Sequence, residues 1–242
     1  MITPKKISTG IWAQDLYQQS STASEIVGTI RDDVRGNEYA YSKAGAAGLA
    51  VGIATVAADC DADVLDCSLP SAVAIGETRI DVTITSTTVV KDYFRGGDFI
   101  VNSGTGAGQR YMILSNSAVA ADTAIEIVIE SPLRVALVTG GTSQVSLIQS
   151  PYRATVISAT DQADLYTGTP MIDVTAEYYY WSQINGIAAS LIDETLAKNA
   201  AVCIGDGVTG AYSTKNAAGE AQVGIMMQDG VDTEYQAIKL GA

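Results

Sequence analysis

The sequence predicts a mainly β protein, an antiparallel sandwich or barrel architecture with short strands, Gly-rich hairpins and little helix. Three observations carry this expectation. Apolar and polar residues alternate over several short runs. Twenty-three glycines against five prolines punctuate those runs. The hydrophobic fraction of 47% is aliphatic far more than aromatic, the aromatic share being 7%.

Residues 1–35 differ from the rest. They are rich in Gln and Ser, end in the charged stretch Arg31-Asp32-Asp33-Val34-Arg35-Gly36, and show no sustained period. They read as an N-terminal arm, with a short helix through Trp12 to Tyr17 packed on the body as an equal alternative. Residues 36–157 form a first β region, in which 76–157 alternates most sharply and is a candidate inserted subdomain. Residues 160–170 read as a connection into a C-terminal β region, 158–242.

The clearest strand is Thr78–Thr85, where Ile80, Val82 and Ile84 face one way and Arg79, Asp81, Thr83 and Thr85 the other. Ala124–Glu130 repeats the pattern with Ile125, Ile127 and Ile129 inward. Further strands are expected at 98–102, 109–115, 143–149, 152–158, 177–184, 187–192, 222–227 and 233–240. The glycines of Val101–Gln109 suit a hairpin, because they tolerate the positive φ that tight turns need. Ile192–Lys198 is long enough for one or two helical turns.

Charge narrows the partners. Fourteen basic and 27 acidic residues leave a net charge of −13, so a phosphate backbone would be repelled and nucleic acid is not an expected partner. Lys5 and Lys6 are followed by no apolar stretch, so no signal peptide is expected. Ala44–Ala58 is weakly polar, but it is shorter than the ~18 residues of a membrane helix and is interrupted by three glycines. A soluble chain is expected. Cys60, Cys67 and Cys203 are too few and odd in number for a disulfide framework, which points to synthesis in a reducing cytoplasm.

The chain contains no histidine, which removes Ser-His-Asp and Cys-His catalysis and His-ligated metals together. Cys203 lies in the apolar run Ala200–Ile204 and reads as a core residue. Gly205-Asp206-Gly207-Val208-Thr209-Gly210 matches a dinucleotide fingerprint by letter, yet no helix is expected after it, so it reads as a hairpin loop. Asp59, Asp61 and Asp63 imitate the opening of a calcium loop, but Val64 stands where the turn glycine belongs and Pro70 at the twelfth position. A solvated acidic loop is the simpler reading of that triplet, with an irregular cation site as the alternative. No catalytic, cofactor-binding or metal-binding residue is assigned.

Aromatic residues supply the candidate contacts. In Tyr178-Tyr179-Tyr180-Trp181, Tyr178 and Tyr180 share one strand face and Tyr179 and Trp181 the other. One pair is expected in the core and the exposed pair as a contact patch, with Trp12 and Tyr17 of the arm as further contacts.

Several segments, in order, resemble the head decoration or cement proteins of tailed-bacteriophage virions. They are Gly36–Tyr41 with Ala46–Gly52 as a strand-turn-strand opening, Gly76–Ile84, Tyr93–Val101, Gly106–Ile113, Glu130–Leu133, Ser143–Ile148 and Ser150–Tyr152. Gly168-Thr169-Pro170 is similar to the family's Gly-Val-Pro, with Thr169 in place of Val, and Tyr179–Gly186 to its Tyr-x-Trp-x-Gln-x-x-Gly element. Val223–Ile225 and Tyr235–Leu240 complete the order. The resemblance implies a non-enzymatic protein on the outer capsid surface of a virion, partnered by the major capsid protein and forming a homo-oligomer, a homotrimer being favoured. A tail or fibre component is the alternative structural reading, and a carboxylate-dependent polysaccharide depolymerase a more distant one.

Overall fold

The computed structural model describes residues 13–120, 123–140, 142–159 and 164–241. The chain divides into two compact units, residues 1–58 with 151–242, and residues 59–150. Among the described residues fifteen strands run antiparallel to their neighbours, and the only helix is a single 3-10 turn at Ala62–Val64. The mainly β expectation therefore holds, and both units curl towards barrels.

The first unit begins with β1 (Ile30–Asp32), β2 (Glu38–Lys43) and β3 (Thr55–Val56). The second unit holds β4 (Arg79–Thr83), β5 (Asp98–Ser103), β6 (Arg110–Asn116), β7 (Ala124–Ile129) and β8 (Gln144–Ile148). The first unit resumes with β9 (Val156–Ile157), β10 (Tyr166–Pro170), β11 (Tyr179–Leu191), β12 (Ala201–Ile204), β13 (Tyr212–Thr214), β14 (Gly224–Met226) and β15 (Tyr235–Leu240).

In the second unit the strand order is β4-β7-β6-β5-β8. Cys67 bridges Val145 in β8 while its neighbour Ser68 bridges Thr83 in β4, so this short stretch joins the two sheet edges and closes the barrel. The alternation seen in the sequence is the cause: Ile80, Val82, Ile125, Ile127 and Ile129 all point inward and are buried with Phe99, Ile113, Val145 and Leu147. Each such side chain, fully buried, contributes about 1.5–3 kcal/mol. The β5–β6 connection is the expected glycine hairpin, with Gly104, Gly106 and Gly108 all at positive φ. At Gly104 a Cβ would stand 1.2 Å from the Thr142 carbonyl oxygen, so the backbone passes where only glycine fits.

The first unit is built as two rings that share β11. β2, β11, β10, β3 and β9 pair in that order, and Thr155, just before β9, bridges Ala44, just after β2. The other ring runs from the C-terminal half of β11 through β15, β14 and β12 to β13, and Ile192 bridges Tyr212 to close it. β11 can serve both because it changes partner at Asn185-Gly186, where the register with β2 shifts. Gly186 has φ +93° there, and a Cβ would meet Asn37 Oδ1 at 2.0 Å.

Several expectations are corrected. The boundaries at 35/36, 75/76 and 157/158 give way to 58/59 and 150/151, because β9 completes a ring with β3 and belongs to the first unit. The predicted strands 177–184 and 187–192 are one strand, continuous through the bulge. Tyr166–Pro170 is a strand rather than a connection; its Gly and Pro hid it, yet Gly168 is what allows close approach to β11, a Cβ falling 2.5 Å from Ser182 Oγ. Ala46–Gly52 holds only a single bridge, Leu49 to Val174. Ile192–Lys198 is not helical, since the Ile192 and Asp193 amides donate to Glu234 and Tyr212 carbonyls and Glu194 Oε1 accepts from the Thr214 amide.

The arm is also corrected. From residue 13 it is stitched to the first unit, by a two-way backbone pairing of Ser20 with Tyr179 and by β1 against β2. Residues 13–17 form bends and a turn, not the alternative helix. The β1–β2 hairpin is held by Asp33, whose Oδ1 accepts from the Arg35 and Asn37 amides at 2.8 and 3.0 Å and whose Oδ2 accepts from Asn37 Nδ2 and Tyr39 Oη at 2.8 and 3.2 Å. Burial pushes the Asp33 carboxyl up, but the hydrogen bonds from Asn37, Arg35 and Tyr39 outweigh it and hold the group below the ordinary 3.8. A carboxyl with a lowered folded-state pKa stabilises the fold above its unfolded value and loses that contribution as pH falls through the folded value. Acidification below that range is therefore expected to lower the protection factors of the Arg35 and Asn37 amides, taken against their intrinsic exchange rates at each pH, and Asp33→Asn to abolish this acid dependence. Exchange followed residue by residue by NMR checks it; unchanged acid dependence in the variant refutes the assignment.

Candidate functional site

The aromatic run expected to offer a contact patch lies at the N-terminal end of β11, and both of its faces are covered. Tyr180 is fully buried among Ala44, Leu49, Ile53 and Val174, with its hydroxyl 2.9 Å from Thr155 Oγ1. On the opposite face Trp181 is fully buried with Val27, Tyr39 and Tyr41. Tyr178 and Tyr179 are half-buried against the same two clusters. The exposed pair predicted for this strand is thus absent: the first ring covers one face and the arm covers the other.

Gln14 is the residue that does the covering, and no sequence signal marked it. Its Oε1 accepts from Tyr41 Oη at 2.8 Å, its Nε2 donates to the Gln18 and Tyr179 carbonyls, and its own carbonyl accepts from Trp181 Nε1 at 2.9 Å. Tyr41 meets Trp181 edge-on at 5.0 Å and stacks on Tyr179 at 5.9 Å. Lys43 lies over the Tyr179 ring at 5.8 Å and pairs with Glu177. Of the arm aromatics, Tyr17 stays 63% exposed and available for a contact, while Trp12 lies outside the described residues.

A second polar cluster joins the hydroxyls of Tyr166 and Thr169 on β10 to that of Tyr212 on β13, with Thr169 and Tyr212 buried and Tyr166 half-buried. Burial pushes Tyr166 up to about 12 and Tyr212 well above its ordinary value. Both phenols keep their protons near neutrality and serve as hydrogen-bond partners, not as bases.

The remaining motifs resolve locally. Gly205–Gly210 is the β12–β13 hairpin loop, as expected, and the amides of Gly207 and Val208 already donate to Asp193 Oδ2 at 3.1 and 3.3 Å. The donors a pyrophosphate would need are taken by a carboxylate. Asp61 accepts from the Asp63 amide as the cap of the 3-10 turn, and Asp63 Oδ1 lies 3.4 Å from Thr85 Oγ1. Among the described residues no three His, Cys, Asp or Glu side chains gather to hold a metal. Burial, then Asp66 and Asp63, push the Cys67 thiol up to about 11, and burial raises Cys203, so both are poor nucleophiles.

Two recesses open on the second unit. One, of about 430 Å³ including its mouth, has Val64, Val89, Phe94 and Leu147 in its wall and a Tyr93–Gln149 hydrogen bond of 2.7 Å beside them. The other, broader and about 750 Å³, is lined by Asp98, Arg110, Glu130 and Arg134, with Arg110 clamped on Asp98 through two contacts of 2.8 and 2.9 Å.

These features define an all-β protein whose polar side chains are spent on turns, caps and buried clusters, with exposed apolar groups on its outer faces. Compared with protein-family models, curated proteins and solved structures, the chain returns no match.

Proposed function

We propose that this chain is a non-enzymatic virion structural protein that binds the outer surface of a bacteriophage capsid and stabilises it, with the major capsid protein as its partner. The observation that carries the reading is the order of the resembling segments, which fall on successive strands and turns of both units. Tyr93–Val101 leads into β5, Gly106–Ile113 forms the β5–β6 hairpin, and Ser143–Ile148 spans β8. Tyr179–Gly186 opens β11, and Tyr235–Leu240 is β15. A net charge of −13 suits an outer capsid surface better than one facing DNA. Two closed β units with large aliphatic cores suit a mechanical load, and many weak contacts add when a homo-oligomer engages several coat subunits together.

The test is co-sedimentation of the purified full chain with expanded heads that lack it. Saturable binding, with a raised temperature of head disruption, is expected. Failure to bind heads, or immunogold labelling confined to tails, overturns the reading and selects a tail or fibre role. Loss of host surface polysaccharide on incubation with the pure chain selects a depolymerase.

A further inference from the structure

The barrel of the second unit has one end at which β4, β6 and β8 finish and β5 and β7 start. The 3-10 turn Ala62–Val64 and residues 87–94 meet there with the end of β8, around the smaller of the two recesses. Its floor is the barrel core itself. Val64, Val89, Phe94 and Leu147 are each at most 5% exposed, yet all four line it. The mouths of β-barrels, where apolar walls meet a few placed polar groups, are common seats for small molecules.

The walls are fixed in advance. Buried Asn116 holds residues 90–94, its Oδ1 accepting from the Phe94 amide at 2.8 Å and its Nδ2 donating to the Val90 carbonyl at 3.0 Å. Val89 and Val119 exchange backbone hydrogen bonds of 3.0 and 2.9 Å. Gln149, also buried, accepts from Tyr93 Oη at 2.7 Å and donates to the Asp59 carbonyl at 3.4 Å. Side chains tied in this way hold the recess open, so a ligand entering it meets little ordering cost.

Among the described residues that line the recess, Asp61 is the one that carries a charge. Its Oδ1 accepts from the Asp63 amide at 2.9 Å as the cap of the 3-10 turn. That bond, and a side-chain hydrogen bond with Thr87, which also lines the recess, keep the carboxylate at the rim and hold it below the ordinary 3.8, so it is ionised near neutrality. The geometry points to a binding site for a small organic cation, a single ring or branched alkyl group seated on Val64, Val89, Phe94 and Leu147 with its ammonium at the Asp61 side of the mouth. The recess measures about 430 Å³ with its mouth, and an apolar cavity of about 150 Å³ already holds benzene, so one ring fits. The Asp59-Asp61-Asp63 stretch thereby gains an organic cation in place of the irregular metal site that its sequence imitates.

Titration of the full chain with benzylamine, benzyl alcohol and benzoate, followed by NMR, tests this, and head binding plays no part in it. Saturable shifts at Val89, Phe94 and Leu147 are expected, with affinity falling from the amine to the alcohol to the acid. One exposed ion pair, or its like-charge counterpart, changes affinity roughly two- to fivefold, so amine and acid should differ by about tenfold. Asp61→Asn, which still caps the turn, should remove that difference and leave alcohol binding unchanged. Cys60 gives a second reading. It lines the recess half-buried, whereas Cys67 and Cys203 are buried, so iodoacetamide should react first at Cys60. Benzylamine at about ten times its Kd should slow that reaction about tenfold. Shifts that do not saturate, equal affinity for amine and acid, an Asp61→Asn chain that keeps the preference, or alkylation of Cys60 at an unchanged rate each overturns the inference.

Discussion

Trp181→Ala is expected to destabilise the first unit by about 3–5 kcal/mol, the range for removing a large buried aromatic side chain. The indole is fully buried, packs edge-on against Tyr41 and donates to the Gln14 carbonyl. Its loss leaves a cavity between β11 and the covering segment and removes the donor that satisfies Gln14. The covering segment is otherwise tied by the side chain of Gln14, the Ser20–Tyr179 pairing, the Thr175 amide on Gln19 Oε1 and the Ser24 amide on Tyr41 Oη, and its Leu16 and Val27 pack in the same cluster as the indole. Proteolysis between residues 13 and 27 should therefore accelerate well before global unfolding. Trp181→Phe refills most of the volume and gives up the hydrogen bond, which is worth about 1 kcal/mol. Denaturant unfolding with limited proteolysis separates the two variants. A Trp181→Ala chain with an unchanged midpoint and an intact segment 13–27 would show that the indole is not the anchor.

Ile127→Ala is expected to cost the second unit about 2–5 kcal/mol, and Ile127→Val only about 0.5–1.5 kcal/mol. Ile127 is central in β7, opposite Ile80 in β4 and Asn116 in β6, so its side chain reaches the middle of the closed barrel. A barrel has no loose edge through which strands can shift to fill a void. Hydrogen exchange read by mass spectrometry should show protection lost first across 59–150, whereas Trp181→Ala should lose it first in the flanking segments. Equal loss throughout the chain in both variants would mean that the two units unfold as one.

Trp181 and Ile127 also show what kind of information the sequence holds. Ile127 was legible at once, because its neighbours Glu126 and Val128 face the other way and period two is a local property of the chain. So were the glycine hairpin at 101–109 and the loop at 205–210, each set by turn chemistry within a few residues. Trp181 stood in an aromatic run of which one pair was expected in the core and the other exposed, since alternation predicts which side chains share a face and not whether both faces are covered. Covering depends on Gln14, whose bonds to Tyr179 and Trp181 span 165 and 167 positions.

β10 was missed for a related reason. Its Gly168 and Pro170 argue against a strand locally, and only the close approach to β11 explains why they are there.

The sequence by itself therefore determined the β class, the individual strand faces, the hairpin glycines, the acidic charge and the lack of histidine chemistry. Those follow from composition and from interactions within a few residues. The tertiary structure alone decided the division at 58/59 and 150/151, the sharing of β11 between two rings, and the burial of both Tyr180 and Trp181 on opposite faces of one strand. Each of these depends on which distant strands pair, and pairing is chosen by the free energy of the whole closed core rather than by any one segment.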